Sequence, residues 1–212
     1  MPEHAQQPAQ EKFSAMFSRN NRAARIRLSS VLLGCIFLFL ICAFSTFAQA
    51  ALDLEGNPVD PIKASEGKIS VLVFVRTDCP ISNRYAPLLE HLNDIYADKA
   101  KFWLVYPDRN TASQQITDHM RQFHLSIRPL RDPHHSLVKL AKATITPEAV
   151  VLDSQGKLLY RGRIDNLYVD AGRSRTAATT HELKDAIESA AFGKIPMPAS
   201  TPAVGCYISD LE

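Results

Sequence analysis

The fold is decided by the stretch Lys68-Ile-Ser-Val-Leu-Val-Phe-Val75-Arg76-Thr77-Asp78-Cys79-Pro80-Ile81-Ser82. Residues 68–75 form a continuous apolar, β-branched run, which predicts a strand buried on both faces. A helix is predicted after Pro80, because apolar residues recur at spacings of three and four as far as Tyr96. Pro87 should kink this helix. A buried strand that runs directly into a helix predicts an α/β fold with a functional site at the junction.

The following residues continue the alternation of strands and helices. Residues 101–106 predict a second buried strand, and residues 149–153 and 157–161 predict a β-hairpin. Each of three further helices is predicted to begin at a polar cap, namely Thr111 (with Gln114), Asp132 and Thr179 (with Glu182). The order β-α-β-α-α-β-β-α predicts a mixed central sheet flanked by helices on both faces.

The first 50 residues have the features of a targeting segment. Four arginines between positions 19 and 27 precede the apolar run 31–44, and Ala48-Gln49-Ala50 suits cleavage after Ala50. Residues 28–47 are also long enough to form an uncleaved membrane anchor. In both cases the body is expected to be exported, either free in the periplasm or anchored to the cytoplasmic membrane and facing outward.

Charge excludes one class of partner. The formal net charge is +2 at pH 7, and the basic excess lies in the first 50 residues. A near-neutral body offers no electrostatic surface for nucleic acid, so no nucleic-acid partner is expected. Contact with a membrane is expected only through the N-terminal segment.

No cofactor and no metal site are predicted, and His91 and His119 are expected on solvated helix surfaces.

Two of the four cysteines are candidates for chemistry. Cys35 and Cys42 lie in the apolar N-terminal run, where a small hydrophobic thiol is ordinary. Cys79 is predicted at the start of a helix, where unpaired N–H groups and the helix dipole favour the thiolate. The thiolate is the competent nucleophile, so Cys79 is the predicted catalytic residue. Cys206 lies in a short apolar patch near the end of a Pro-rich tail.

These motifs resemble the thioredoxin superfamily, and within it the redoxin (AhpC/TSA-like) branch, over residues 52–192. The resemblance is carried by the strand that leads into Thr77-Asp78-Cys79-Pro80, by Pro87 eight residues beyond Cys79, and by residues 130–147. It implies a thioredoxin-like fold with a cis Thr146–Pro147 bond facing Cys79. The implied substrate-binding residues are Thr77, Pro80, Ser82, Thr146 and Pro147.

The resemblance also suggests a division of the chain. Residues 1–50 are expected to be the signal peptide or membrane anchor, and residues 51–194 the thioredoxin-like redoxin domain. Residues 195–212 are expected to form the Pro-rich C-terminal tail that carries Cys206.

Two departures from the family patterns bear on function. The usual C-x-x-C is replaced by Cys79-Pro80-Ile81-Ser82, so a serine lies where the resolving cysteine is expected. Ser82 is expected either to donate to the thiolate or to cap the helix. Arg76 and Leu72 occupy the positions at which peroxiredoxins carry a threonine or serine and a proline, which disfavours classical peroxidase activity.

The role of Cys206 is left open by the sequence. Cys206 could resolve a mixed disulfide at Cys79, delivered there by the tail. The two cysteines could instead form a permanent structural disulfide, which closes a long loop and stabilises the fold. Cys206 could also be buried and unpaired.

Three functions follow from these features. The first is an exported thiol–disulfide oxidoreductase that acts on protein thiols or disulfides and is reduced again by an upstream thiol reductant. The second is a one-cysteine, peroxidase-like antioxidant protein that acts on a small oxidant. The third is a non-catalytic binding or assembly module related to copper delivery. Copper-delivering relatives carry C-x-x-x-C, but the second position here is Asn83, so copper would need other ligands.

Overall fold

The computed structural model describes residues 51–209 and residue 211. The predicted signal peptide or anchor, with Cys35 and Cys42, lies outside the described residues. Within the part of the chain that the structure describes, no helix has the length and apolar character needed to cross a membrane.

A fully buried strand, β3 (Ile69–Phe74), forms the centre of the main sheet. It pairs in parallel with β4 (Ala100–Tyr106) and antiparallel with β7 (Glu148–Leu152). Because apolar layers cover both faces, its sequence is a continuous apolar run rather than an alternating one. The two predicted buried strands are therefore confirmed.

The other strands of this sheet are β1 (Ala51–Leu52), β2 (Pro58–Val59), β5 (Arg128–Arg131) and β8 (Leu158–Gly162). The seven strands lie in the order β2-β1-β5-β4-β3-β7-β8. Only the β3–β4 and β4–β5 pairs are parallel, so the sheet is mixed, as predicted. Two smaller pairs lie outside it, formed by β6 (Ile145–Thr146) with β11 (Cys206–Tyr207) and by β9 (Tyr168–Asp170) with β10 (Arg173–Ser174).

Helices cover both faces of the sheet. They are α1 (Pro80–Arg84), α2 (Ala86–Ile95), α3 (Ser113–Gln122), α4 (Ser136–Ala141) and α5 (Glu182–Ala191), with a 3₁₀ turn at Lys63–Ser65. Val71 and Val73 of β3 pack in the apolar layer that includes residues of α1, α2, α3 and α5. Leu72 and Phe74 face the opposite layer, to which α4 and the 3₁₀ turn contribute. The single helix predicted from Pro80 to Tyr96 is divided at Tyr85, just before Pro87.

Two of the predicted helix caps are wrong. The N-cap of α3 is Ala112, and the cap interaction runs from the Ala112 N–H to Gln115 Oε1 at 2.8 Å, one residue later than predicted. The N-cap of α5 is His181. Thr179 instead accepts a hydrogen bond from the Asn166 side chain at 2.7 Å, because the preceding loop folds back on that amide.

Asp132 does cap a helix, but from outside it. The carboxylate is fully buried and accepts from the N–H groups of Ser136, Leu137 and Val138 and from the Ser136 hydroxyl, at 2.7–2.9 Å. The helix α4 therefore begins four residues after its cap rather than at Pro133. This network satisfies the first backbone donors of α4, which would otherwise be buried without partners.

We expect Asp132→Ala to lower the free energy of unfolding by about 2–4 kcal/mol, because four donors lose their charged acceptor. Chemical denaturation of the purified protein measures this loss. Asp153→Ala is the matched control, since that carboxylate accepts two N–H groups in an exposed hairpin turn. Water replaces it there, so its cost should stay below about 1 kcal/mol. Equal costs for the two variants would contradict the importance of the buried cap.

Candidate functional site: a pair of thiols

Cys79 lies where the sequence places it, at the junction of β3 and α1. It is the N-cap residue of α1, with extended backbone angles (φ −87°, ψ 111°), and Pro80 occupies the first helical position. The Cys79 carbonyl accepts the first hydrogen bond of the helix, from the Asn83 N–H at 3.0 Å. The side chain is completely buried.

The second thiol is directly beside the first. The Cys206 Sγ lies 2.8 Å from the Cys79 Sγ, although the two residues are 127 positions apart. A disulfide has an S–S length of about 2.05 Å, so the two sulfurs are adjacent but not bonded. Both cysteines are free, and Cys206 is partly exposed.

A short strand holds Cys206 in this position. β11 pairs antiparallel with β6, so that Cys206 lies opposite Thr146 and Tyr207 opposite Ile145. The approach is close at Gly205, where an added Cβ would lie 2.0 Å from the Thr146 carbonyl oxygen. Glycine is thus the residue that allows the tail to reach the thiol.

The tail is anchored on both sides of β11. On one side, the Thr201 N–H donates to the Arg161 carbonyl at 3.1 Å, and the Thr201 hydroxyl lies 2.7 Å from that of Tyr160. On the other side, Ile208 is buried and its N–H donates to the Thr144 carbonyl at 3.0 Å. We call residues 201–208 the strap. It is bonded to the domain and packed against it, and is not a free tail.

Thr146 connects the strap to Cys79. Its carbonyl oxygen accepts from the Cys79 thiol at 3.2 Å, and its hydroxyl donates to the Cys206 carbonyl at 3.2 Å. The Thr146–Pro147 bond is cis, as the resemblance implies, and both residues are buried. The two thiols and the Thr146 carbonyl form a donor–acceptor series in the order Cys206, Cys79, Thr146.

The surroundings separate the acidities of the two thiols. Burial raises the pKa of Cys79, but the Cys206 thiol and the hydroxyl and N–H of Ser82 lower it more, so it lies below the ordinary value. Burial and the neighbouring Cys79 sulfur raise the pKa of Cys206 to about 11. The Ser82 hydroxyl is buried and has no hydrogen-bond partner of its own among the described residues, so it is available to a thiolate.

The charged groups nearby compensate each other. The Arg76 guanidinium binds both oxygens of the Asp78 carboxylate, at 3.0 and 2.8 Å. It also donates to the Tyr207 carbonyl at 3.4 Å, which joins the β3–α1 turn to the strap. The Asp78 carboxylate therefore offsets most of the positive charge that Arg76 brings close to the two sulfurs.

The structure brings together some of the predicted site residues and not others. Cys79, Ser82, Thr146 and Cys206 meet at one point, with Pro147 directly following. Pro80 is exposed, and Thr77 contributes its carbonyl to the Asn83 side chain at 3.2 Å. Nothing in the described contacts brings the Thr77 side chain to the sulfurs.

Sequence reasoning missed a buried polar group that is linked to α1 through Asn83. His119, expected on a solvated surface, is buried between Tyr106 and Asn83. The available signal was the position of Asn83, one helical turn after Cys79. Among residues 51–209 and 211, no group of three or more His, Cys, Asp or Glu side chains is arranged to hold a metal ion.

We expect Cys206→Ala to raise the pKa of Cys79, because the variant removes the thiol that donates to the Cys79 sulfur. The ultraviolet absorbance of the thiolate measures this pKa, after subtraction of the Cys79→Ser spectrum. Cys206→Ser is the matched control, since its hydroxyl retains a donor and should give a smaller rise. An unchanged pKa in Cys206→Ala would contradict the donor role of Cys206.

Comparisons with known proteins agree with this architecture. The Redoxin family model matches residues 43–170, which is more than half of the chain. A search of curated proteins finds no match. The family match and the mixed sheet with helices on both faces confirm the expected thioredoxin-like α/β fold.

Solved structures provide further fold neighbours. A hypothetical protein from Sinorhizobium meliloti 1021 superposes with a TM-score of 0.65 at 20% identity, covering 76% of this chain and 90% of its own. An uncharacterized conserved protein from Geobacillus kaustophilus gives 0.65 at 19% identity, with 76% and 87% covered. A secreted disulfide oxidoreductase from Mycobacterium tuberculosis gives 0.46 at 17% identity, with 68% and 93% covered. At these identities the first two neighbours support the fold assignment and no statement about function.

Proposed function

The chain belongs to the Redoxin family, and on that premise we propose that it is a thiol–disulfide oxidoreductase with Cys79 as nucleophile and Cys206 as resolving cysteine. Family membership supports the coarser statement that this is a thiol-redox protein. One observation carries the finer assignment, namely the 2.8 Å separation of the two sulfurs. Loss of two electrons and two protons would join them as a disulfide, with the sulfurs less than 1 Å closer than here.

The first half of the proposed cycle reduces a partner. The Cys79 thiolate attacks one sulfur of a partner disulfide, forming a mixed disulfide and releasing the other partner sulfur as a thiolate. That thiolate takes the proton of Cys206. The Cys206 thiolate then attacks the Cys79 sulfur and displaces the second partner thiolate. Two electrons pass to the partner, and Cys79 and Cys206 become joined.

The second half regenerates the dithiol with an upstream dithiol reductant. Cys206 is the more exposed sulfur, so the reductant thiolate attacks there. Cys79 leaves as the thiolate, because the thiol of lower pKa is the better leaving group. The second reductant thiolate then attacks its own partner sulfur and releases Cys206, which takes up a proton. Which half predominates depends on the reduction potential of the partner.

Attack by Cys79 on a partner requires the strap to move, because the Cys79 side chain is completely buried. The first residues of the strap border a cleft of about 330 Å³, lined by Thr144, Ile145, Glu148, Arg161, Ser200, Thr201, Pro202 and Ala203. Protein disulfides are the proposed partners, and Thr146 and Pro147 the proposed contacts for their backbone.

The proposed place of action is outside the cytoplasm. The arginines before the apolar run 31–44 and the Ala48-Gln49-Ala50 pattern support export, with the body free in the periplasm or anchored to the cytoplasmic membrane. Any contact with the membrane is assigned to this N-terminal segment. The mass of the exported chain distinguishes a cleaved signal from an anchor.

We expect Cys206→Ser to accumulate mixed disulfides with other proteins in the exporting cell, because a complex at Cys79 can no longer be resolved. Non-reducing electrophoresis followed by mass spectrometry detects these complexes and the cysteine that carries them. In the wild type they should be rare, and in the Cys79→Ser, Cys206→Ser double variant absent.

Other outcomes would favour other functions. A permanent structural disulfide predicts that Cys206→Ser unfolds more easily and traps nothing. A one-cysteine peroxidase predicts that Cys206→Ser traps nothing but still consumes peroxide with an external thiol, and that Cys79→Ser does not. A binding module predicts neither trapping nor peroxide consumption.

We expect Gly205→Ala to slow formation of the Cys79–Cys206 disulfide, because the new methyl group would collide with the Thr146 carbonyl. A displacement of about 1 Å in such a reaction can cost on the order of 10²-fold in rate. Quenching with an alkylating reagent and mass spectrometry follow the reaction. Gly172→Ala is the matched control, since its Cβ would meet only the Asp170 side chain at 3.8 Å. Equal rates in both variants would contradict the role of the strap.

A further inference from the structure

A chain of polar groups, two of them buried, leads to the β3–α1 turn that carries Cys79. The Tyr106 hydroxyl of β4 lies 3.0 Å from His119 Nδ1 of α3. His119 Nε2 in turn lies 2.8 Å from the Asn83 side-chain oxygen of α1. Tyr106 and His119 are both buried, and Asn83 is half-buried. Buried polar groups that are joined in this way fix a specific local arrangement.

The direction of each hydrogen bond follows from one carbonyl group. Asn83 Nδ2 lies 3.2 Å from the Thr77 carbonyl, which can only accept, so the amide nitrogen must face Thr77 and the amide oxygen His119. His119 Nε2 therefore carries the proton, and Nδ1 accepts from the Tyr106 hydroxyl. Burial lowers the pKa of His119, which keeps this neutral form.

The chain ends on the backbone that carries the nucleophile. The Asn83 side chain holds the Thr77 carbonyl, two residues before Cys79, and the Asn83 N–H donates to the Cys79 carbonyl at 3.0 Å. Asn83 is thus hydrogen-bonded to the backbone of both Thr77 and Cys79. Residues 77–79 lie in the turn between β3 and α1, where no strand pairing holds them.

We propose that the Tyr106–His119–Asn83 chain positions Cys79, so that Asn83 and His119 are positioning residues for its thiol chemistry. The inference rests on the proposed function, because it assigns these side chains to the same reaction. Loss of the chain frees the 77–79 turn and moves the Cys79 sulfur away from the Cys206 thiol and Ser82, the groups that lower its pKa.

The principal test compares Asn83→Ala with Asn93→Ala in the reduced full chain. Asn93 is likewise half-buried and lies on the neighbouring helix α2. Oxidised glutathione serves as the small disulfide, and two quantities are measured, the pKa of Cys79 and the rate of Cys79–Cys206 disulfide formation. We expect Asn83→Ala to raise the pKa toward the ordinary thiol value and to slow the reaction at least about tenfold. Asn93→Ala should match the wild type in both.

A second series tests the imidazole and does not depend on the folding of Asn83→Ala. His119→Gln keeps an N–H that can donate to Asn83, whereas His119→Leu removes it. We expect the glutamine variant to retain most of the wild-type rate and the leucine variant to lose it. His91→Leu on the exposed side of α2 is the control for the substitution itself. Tyr106→Phe should fall between the wild type and His119→Leu.

The outcomes separate this inference from the proposed function. If Asn83→Ala and His119→Leu lower only the free energy of unfolding and leave the pKa of Cys79 and the rate unchanged, the chain is merely structural and the inference is overturned. If no partner is trapped in Cys206→Ser, the proposed function fails. The pKa of Cys79 in the Asn83 and His119 variants still decides the inference in that case.

Discussion

The pairing of β11 with β6 is the interaction on which the dithiol site depends. Two residues of strand, with Cys206 opposite Thr146, bring together sulfurs that are 127 positions apart in the chain. The pairing is possible because Gly205 has no side chain to collide with the Thr146 carbonyl. It persists because Thr201 and Ile208 are bonded to the body on either side. A weaker anchor on either side would leave Cys79 as a single buried thiol.

The second thiol comes from a separate strand, so its contact with Cys79 depends on backbone pairing. In a C-x-x-C motif both cysteines lie on one helix, and their separation is fixed by that helix. Here Ser82 takes the second position and the thiol comes from the strap. The two thiols also differ in environment, since Cys79 is enclosed and Cys206 partly exposed. In the proposed cycle this difference would divide their roles, because the thiol of lower pKa is both the better leaving group and the better populated thiolate.

The sequence could predict what depends on local pattern. β3, β4 and the β7–β8 hairpin are continuous apolar runs or carry a turn signal, and Cys79 at a helix start follows from its neighbours. β5 escaped prediction because Arg128-Pro129-Leu130-Arg131 has neither alternation nor a buried run. Pairing with β4 imposes its strand geometry, and the propensities of residues 128–131 do not predict this pairing.

The candidate site was less predictable, because its contacts join distant segments. A two-residue strand has no periodicity, so the sequence of the tail left open whether Cys206 pairs with Cys79 or is buried and unpaired. The residues next to His119 in the sequence are polar, as in a surface helix. His119 is nevertheless buried, in contact with Tyr106 of β4 and with Asn83, 36 positions away. Polar residues buried in this way cannot be distinguished from solvated ones until the packing is known.

Two different sets of contacts surround Cys79, one made through Asn83 and one made by the strap. On the side of α1, buried polar groups hold the backbone of the nucleophile through Asn83, and their removal would leave unpaired donors and acceptors inside the domain. The strap is held by the β11–β6 pair, by the hydrogen bonds of Thr201 and by the buried Ile208 side chain. Under the proposed function, Cys79 must meet both Cys206 and a partner disulfide. In that cycle Cys206 has to leave and return while Cys79 stays in place, so the strap, and not the β3–α1 turn, is the element that would have to move.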